Sequence, residues 1–225
     1  MKKTISEKTI IILLLILILA ILLILPPQYI RRPSVTGAVV ARLYVNPLPI
    51  TYLCNISIVS GWNLIAVPCS AKNQSVTSIL STISGNFVSI HSYDALNTTD
   101  HWKSYNPSLP SWVVNDLADI RTVKGYWLKS LSGAYLAVNG TIQKPATITL
   151  YNGWNLVSFI SNQSMNISLA LSSISGKYSL LSAYNTTTLS FIIYESAVSN
   201  NNLSELSPDR GYWINATTNA DWVIS

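Results

Sequence analysis

Apolar positions along this chain follow three different rules. From 9 to 25 they are continuous, seventeen positions without a charge and nearly all Ile or Leu. A helix rising ~1.5 Å per residue would carry that run about 25 Å, a little short of a hydrocarbon core of about 30 Å. Lys8 closes the gap by snorkelling, and Tyr29, Arg31 and Arg32 anchor the other side. The run predicts an uncleaved membrane anchor. A cleaved signal peptide has an apolar core of only about 7 to 15 residues and a small-residue cleavage site, whereas this run ends in Pro26-Pro27. From 26 to 48 prolines break every period, and the stretch reads as a connector in which 38–45 is apolar enough for an extended strand.

Beyond 49 the pattern alternates in short bursts. Residues 56–59 and 64–68 flank Ser60-Gly61 and predict a hairpin; 147–150 alternate strictly ahead of Asn152-Gly153, the strongest short-range hairpin signal. Val76, Ile79, Leu80 and Ile83 fall at i, i+3, i+4 and i+7, an amphipathic helix with Ser75 as cap and Gly85 as stop. Ile167, Leu171 and Ile174 repeat it before Gly176. Strands follow at 87–93 and 102–105, then a short helical turn at 115–120, then strands at 125–131 and 135–138. Their counterparts lie at 180–184, 191–194, 203–206, 211–216 and 222–224. Several strands with one helix predict an α+β unit of mainly antiparallel β structure.

The unit occurs twice. Ser60-Gly61-Trp62-Asn63-Leu64 returns as Asn152-Gly153-Trp154-Asn155-Leu156, Ser84-Gly85-Asn86-Phe87 as Ser175-Gly176-Lys177-Tyr178, and Gly125-Tyr126-Trp127-Leu128 as Gly211-Tyr212-Trp213-Ile214. The offsets of 92, 91 and 86 residues mark duplication of a whole structural unit with small loop deletions. The expected organisation is a cytoplasmic stub at 1–8, an anchor at 9–25, a connector at 26–48, module one at 49–142 and module two at 143–225.

The order G-W-N-L, short helix, S-G-x-[FY], aromatic pair, G-Y-W-[IL] resembles a repeat of archaeal and bacterial surface and secreted proteins, often in tandem behind one membrane anchor. The resemblance covers both modules and implies an extracellular, noncatalytic role, with no site residues to carry over. The Ile/Leu run followed by Val35-Thr36-Gly37 is also similar to the amino-terminal arrangement of surface proteins from small-genome archaea.

Charge changes the picture only at the amino end. Lys2, Lys3 and Lys8 face Arg31 and Arg32 across the apolar run, so charge alone leaves its orientation nearly balanced. Sequons decide it: Asn55, Asn73, Asn97, Asn139, Asn162, Asn166, Asn185, Asn202 and Asn215 each begin N-x-[ST], about twice the number chance would supply in so Asn- and Ser/Thr-rich a chain. They are candidate glycosylation sites and place 49–225 outside the membrane. Five of the fourteen basic residues fall before position 33, leaving nine against eight acids beyond it. No basic stripe remains to hold nucleic acid. The two cysteines, Cys54 and Cys69, leave the Ser60-Gly61 turn on facing strands and are expected to form a disulfide in an oxidising exterior.

Catalytic motifs are missing: there is no G-x-S-x-G or H-E-x-x-H, and Asp116 and Asp119 sit at a spacing that solvation explains. The chain is expected not to be an enzyme and to need no cofactor. His91, Asp94, Asp100 and His101 gather around one loop whose counterpart in module two offers only Tyr184, Asn185 and Thr186 to Thr188, and a structural histidine is the simpler reading of His91 than a metal ligand. The recurring aromatics Trp62/Trp154 and Tyr126-Trp127/Tyr212-Trp213 are expected to fill the cores. Trp102, Trp112 and Trp222 have no aromatic counterpart, so Trp102 and Trp112 with Tyr105 are the candidate ligand platform. The expected function is a noncatalytic surface glycoprotein with a structural or adhesive role, held to lipid by residues 9–25. Its expected partners are envelope glycan or other surface proteins. The alternatives are a carbohydrate-binding module using those aromatics, or a pilin-like filament subunit.

Overall fold

The computed structural model describes residues 49–110 and 112–225. The expected stub at 1–8, the expected anchor at 9–25 and the expected connector with its apolar 38–45 stretch lie outside the described residues. Among the described residues no helix is long and apolar enough to cross a membrane.

Residues 49–225 are mainly antiparallel β. In the first half, β1 (Thr51–Ile58) pairs with β6 (Ala134–Thr141) as a two-stranded ribbon. Between them β2 (Gly61–Ala66), β3 (Phe87–Tyr93), β4 (Trp102–Tyr105) and β5 (Gly125–Ser130) form a sheet of order β2-β5-β3-β4. The second half repeats this. A ribbon joins β7 (Ala146–Leu150) to β14 (Ala220–Ile224). With β9 (Met165–Asn166) and β12 (Glu205–Leu206) forming a minor pair, β8 (Gly153–Ser158), β10 (Tyr178–Asn185), β11 (Ser190–Glu195) and β13 (Gly211–Ala216) form a sheet of order β8-β13-β10-β11. Even the irregularities correspond. The register slips between Phe87 and Ser89 in one half and between Tyr178 and Leu180 in the other, and the β9–β12 pair has its counterpart in a single bridge from Ser75 to Asp119.

Each half has its own core, enclosed between sheet and ribbon and closed by the helix. Val76, Ile79, Leu80 and Ile83 are all buried, as their spacing requires, along an α-turn at Val76–Ile79 that tightens to 3₁₀ over Leu80–Ile83. The Ser75 hydroxyl accepts from Ser78 N, a serine N-cap. In the second half Trp222 is fully buried and donates its indole N–H to the Ala170 carbonyl at 2.7 Å.

Two sequence-based expectations fail. The predicted hairpin is a corner: β1 and β2 pair with different partners, because the chain turns from ribbon to sheet at Val59 to Gly61, and Tyr151 to Gly153 does the same. Gly61 and Gly153 hold φ of +90° and +96° there, a conformation costly for a residue with a Cβ. A corner leaves backbone groups without a strand neighbour, and Asn63 and Asn155, both buried, take that place. Asn63 Oδ1 accepts from Val59 N at 3.0 Å while its Nδ2 donates to the carbonyls of Val59 and Gly61. Asn155 makes the same three bonds to Tyr151 and Gly153. The second failure is the helical turn at 115–120. That segment instead runs along the free edge of β4, where Asp116 accepts from Ser104 N and Leu117 N donates to Ser104 O.

Cys54 and Cys69 are disulfide-bonded, with Cα atoms 6.0 Å apart. The bond ties ribbon strand β1 to the segment leaving β2, across layers rather than across a hairpin. Ala146 and Ser161 are buried at the corresponding places in the second half.

Candidate functional site

The G-Y-W strand builds the site because a strand sends neighbouring side chains to opposite faces. In β5 and β13, Tyr126 and Tyr212 go inward and are fully buried. Each phenol closes a small ring with the loop before it: Tyr126 Oη accepts from Arg121 N at 2.6 Å and donates to Arg121 O, and Tyr212 does the same with Ser207. Burial pushes both phenol pKa values well above the ordinary tyrosine value.

Trp127 and Trp213 must then point outward. The expectation that they face equivalent cores is wrong, and so is the core assignment of Trp62 and Trp154, which are 40% and 45% exposed. All four stand on the outer faces of the two sheets.

Those faces meet at a seam related by a pseudo-twofold. Ala66 N donates to Asp209 O at 3.0 Å, and Ser158 N to Val123 O at 3.3 Å. Ile65 bridges to Arg210, and Val157 to Lys124. Each contact is the other one shifted by the repeat, the pattern of an isologous interface. The glycines of G-Y-W make the crossing possible. A Cβ on Gly125 would lie 2.8 Å from Val157 O, and one on Gly211 2.8 Å from Ile65 O.

Tryptophan from one half therefore packs on aromatics of the other. Trp127 lies edge-on to Tyr184 at 5.0 Å and to Phe191 at 6.1 Å. Trp213 lies edge-on to Tyr93 at 5.1 Å and to Trp102 at 5.9 Å. Such T-shaped contacts suit the ring quadrupoles. Two clefts open beside them. The first, about 390 Å³, is lined by Trp62, His91, Trp102, Trp127 and Tyr184. The second, about 460 Å³, is lined by Tyr93, Trp154, Leu180, Ser182, Phe191, Ile193 and Trp213.

Of the expected platform only Trp102 reaches a cleft. It does have an aromatic counterpart, since Trp102 pairs with Tyr93 as Phe191 pairs with Tyr184. Tyr105 instead packs on Phe87 at the margin of the core. Trp112, 81% exposed, lines neither cleft. Strand alternation was the signal for the rest. Tyr126 and Trp127 cannot share a face, and a buried tyrosine makes its neighbour an outward tryptophan.

Polar groups at the clefts are few. His91 Nε2 lies 2.9 Å from Ser89 Oγ, and burial lowers the imidazole pKa. Lys129 places its Nζ 5.6 Å from the centre of the Trp62 ring, within cation–π range. His101 stacks on Tyr93 at 4.8 Å and lies 2.8 Å from the Asp94 carbonyl through Nδ1, while Asp100 pairs with Lys103 and Asp94 with Lys124. Among the described residues no group of three or more His, Cys, Asp or Glu could hold a metal ion.

The nine sequon asparagines all reach the surface: Asn55, Asn73, Asn139, Asn162, Asn166 and Asn202 are exposed and Asn97, Asn185 and Asn215 half-buried. Several use Oδ1 to hold a turn or cap, as Asn73, Asn97, Asn166 and Asn185 do, while Asn202 Oδ1 accepts from Ile193 N on β11. Comparison with known proteins gave no match to any family model, curated protein or solved structure.

Proposed function

We propose that the chain is a noncatalytic surface protein that adheres to glycan through the seam clefts. The observation that carries this reading is the pair of aromatic clefts, built twice by corresponding strands, where five tryptophans keep ring surface open to solvent. Their volumes fall in the range of small-ligand sites, about 300–1,000 Å³. A pyranose ring presents an apolar C–H face that stacks on such a ring, and its hydroxyls suit the sparse polar lining of His91 and Ser182. No carboxylate lines either cleft, which fits binding better than acid–base chemistry on sugars, where paired carboxylates are the usual machinery.

The remainder of the reading comes from the sequence. Residues 9–25 anchor the chain in a membrane, 49–225 lie outside as two homologous modules carrying N-linked glycan, and the repeat belongs with tandem G-W-N-L/G-Y-W modules of surface proteins. Deleting 1–48 then releases a soluble protein from the membrane fraction. Screening the released protein on an array of envelope polysaccharides and oligosaccharides tests the binding, with Trp127→Ala expected to weaken the best hit at least tenfold. An array with no hit above background, or a hit that both Trp127→Ala and Trp213→Ala leave unchanged, overturns adhesion to external glycan through the clefts.

A further inference from the structure

We propose that the two clefts have different occupants, and that the second is filled by the chain's own sugar, carried on Asn215. The proposal rests on the reading that these aromatic clefts accept pyranose rings, and it names which ring the second one takes.

Asn215 opens the sequon Asn215-Ala216-Thr217. It lies on β13 two residues beyond Trp213, so alternation puts both side chains on the outer face, while Tyr212, Ile214 and Ala216 face the core. Its cross-strand partners are Trp154 on one side and Leu180 on the other, both lining the second cleft. A directly opposed pair on one face has Cβ atoms about 4.5–5.5 Å apart. Whatever Asn215 carries therefore starts beside the half-exposed Trp154 ring.

The first half shows where such an extension goes. The residue corresponding to Asn215 is Lys129, opposite Trp62 in the same register. Its side chain runs over the indole and places Nζ 5.6 Å from the ring centre. A sugar on Asn215 Nδ2 extends from the equivalent backbone position by a comparable reach, and so lies across Trp154. Asn215 is half-buried rather than enclosed, and no described residue accepts a hydrogen bond from its Nδ2. Lys129 cannot be N-glycosylated, which leaves the first cleft, with His91 and Lys129 at its rim, open to an external ligand.

The chemistry needs one co-reactant, a lipid-diphosphate-linked sugar used by a membrane transferase. A bond forms between Nδ2 and the anomeric carbon, the anomeric C–O bond to the diphosphate breaks, and the amide gives up one proton to the transferase's base.

The test uses the full chain purified from its native membranes. Trypsin cuts after Arg210, and residues 211–225 then contain Asn215 as their one sequon. The expected result is a mass for this stretch raised by one or more sugar residues in most molecules. A stretch that is mostly unmodified overturns the proposal. Occupancy of the cleft is read separately, by oxidising accessible tryptophans with N-bromosuccinimide and mapping the peptides. Asn215→Gln should raise the rate at Trp154 several-fold and leave Trp62 unchanged. Equal rates at Trp154 in both proteins would mean that the sugar points away, and would overturn the filled cleft. Array binding distinguishes this from the broader reading. External ligand lost through Trp213→Ala but not Trp127→Ala shows the second cleft open and refutes the proposal alone. A glycosylated, protected Asn215 with an empty array upholds it while removing the external ligand.

Discussion

Replacing Asn155 by alanine should cost far more stability than a surface asparagine normally does. The side chain is 4% exposed and makes three hydrogen bonds at the corner between β7 and β8: it accepts from Tyr151 N at 2.9 Å and donates to Tyr151 O at 2.7 Å and Gly153 O at 2.9 Å. These backbone groups have left the ribbon and not yet entered the sheet, so alanine offers them nothing. A net hydrogen bond is worth about 0.5–1.5 kcal/mol, and an unsatisfied buried group about 1–3 kcal/mol. Tyr151 is half-buried, so water recovers part of its carbonyl, and about 3 kcal/mol is expected in all. For a folded unit of this size each kcal/mol shifts Tm by roughly 2–4 °C, giving a fall of roughly 6–12 °C by calorimetry, and a lower urea midpoint at unchanged m-value. Asn155→Asp keeps the acceptor for Tyr151 N but loses both donors, and should fall between the two. Asn63→Ala should behave alike in module one, because the geometry repeats bond for bond. A loss below about 1 kcal/mol for Asn155→Ala would refute the idea that the amide substitutes for a missing strand.

Reducing the Cys54–Cys69 bond, which spans fifteen residues of sequence, should cost up to about 3 kcal/mol in the chain-entropy model; scans with and without reductant should show the first half melting earlier, and unchanged melting would refute it. Tyr126 and Tyr212 have folded-state phenol pKa values raised by burial, so their contribution is complete below the unfolded value of about 10 and is lost as pH climbs from there toward the folded value. Urea titrations above pH 10 should show stability falling by about 1.4 kcal/mol per pH unit per tyrosine, and Tyr126→Phe with Tyr212→Phe should flatten that limb. Gly211→Ala places a Cβ against the Ile65 carbonyl and should cost about 1–3 kcal/mol as an overpacked contact, whereas Gly133→Ala, whose nearest neighbour would be 3.7 Å away, should be nearly neutral; equal effects would remove the seam as the reason for the glycine.

How much was legible in the sequence depended on whether a feature is local or lies between the halves. Helical spacing found the buried face Val76, Ile79, Leu80 and Ile83, and the repeat of G-W-N-L, S-G-x-[FY] and G-Y-W found the duplicated strand order. The disulfide was right for a wrong reason, since a corner brings Cys54 and Cys69 together as well as a hairpin would. A glycine before alternating residues signals a change of direction, but a hairpin and a corner differ only in the partners the strands later find. The buried amide of Asn63 is the local mark of the corner. The site was missed for a similar cause. In the sequence Trp102 has no visible counterpart because Phe191 falls 89 positions later, between the motif offsets, and only the pairing with Tyr93 and Tyr184 shows the two to be equivalent.

At the clefts the copies keep the same aromatic frame and change what surrounds it. Asn63/Asn155, Gly125/Gly211, Tyr126/Tyr212 and Trp127/Trp213 are identical, and each is held by backbone geometry or by the seam. His91/Ser182, Lys129/Asn215 and Trp102/Phe191 differ, and all lie at the clefts. The copies also differ in core and seam, as Cys54/Ala146 and Ala66/Ser158 do, but those changes keep the packing and the backbone contacts, whereas the changes beside the conserved Trp62/Trp154 alter the polar groups that a ligand would meet. A cationic rim with a histidine at one cleft and a sequon at the other are different answers to what should cover the same tryptophan.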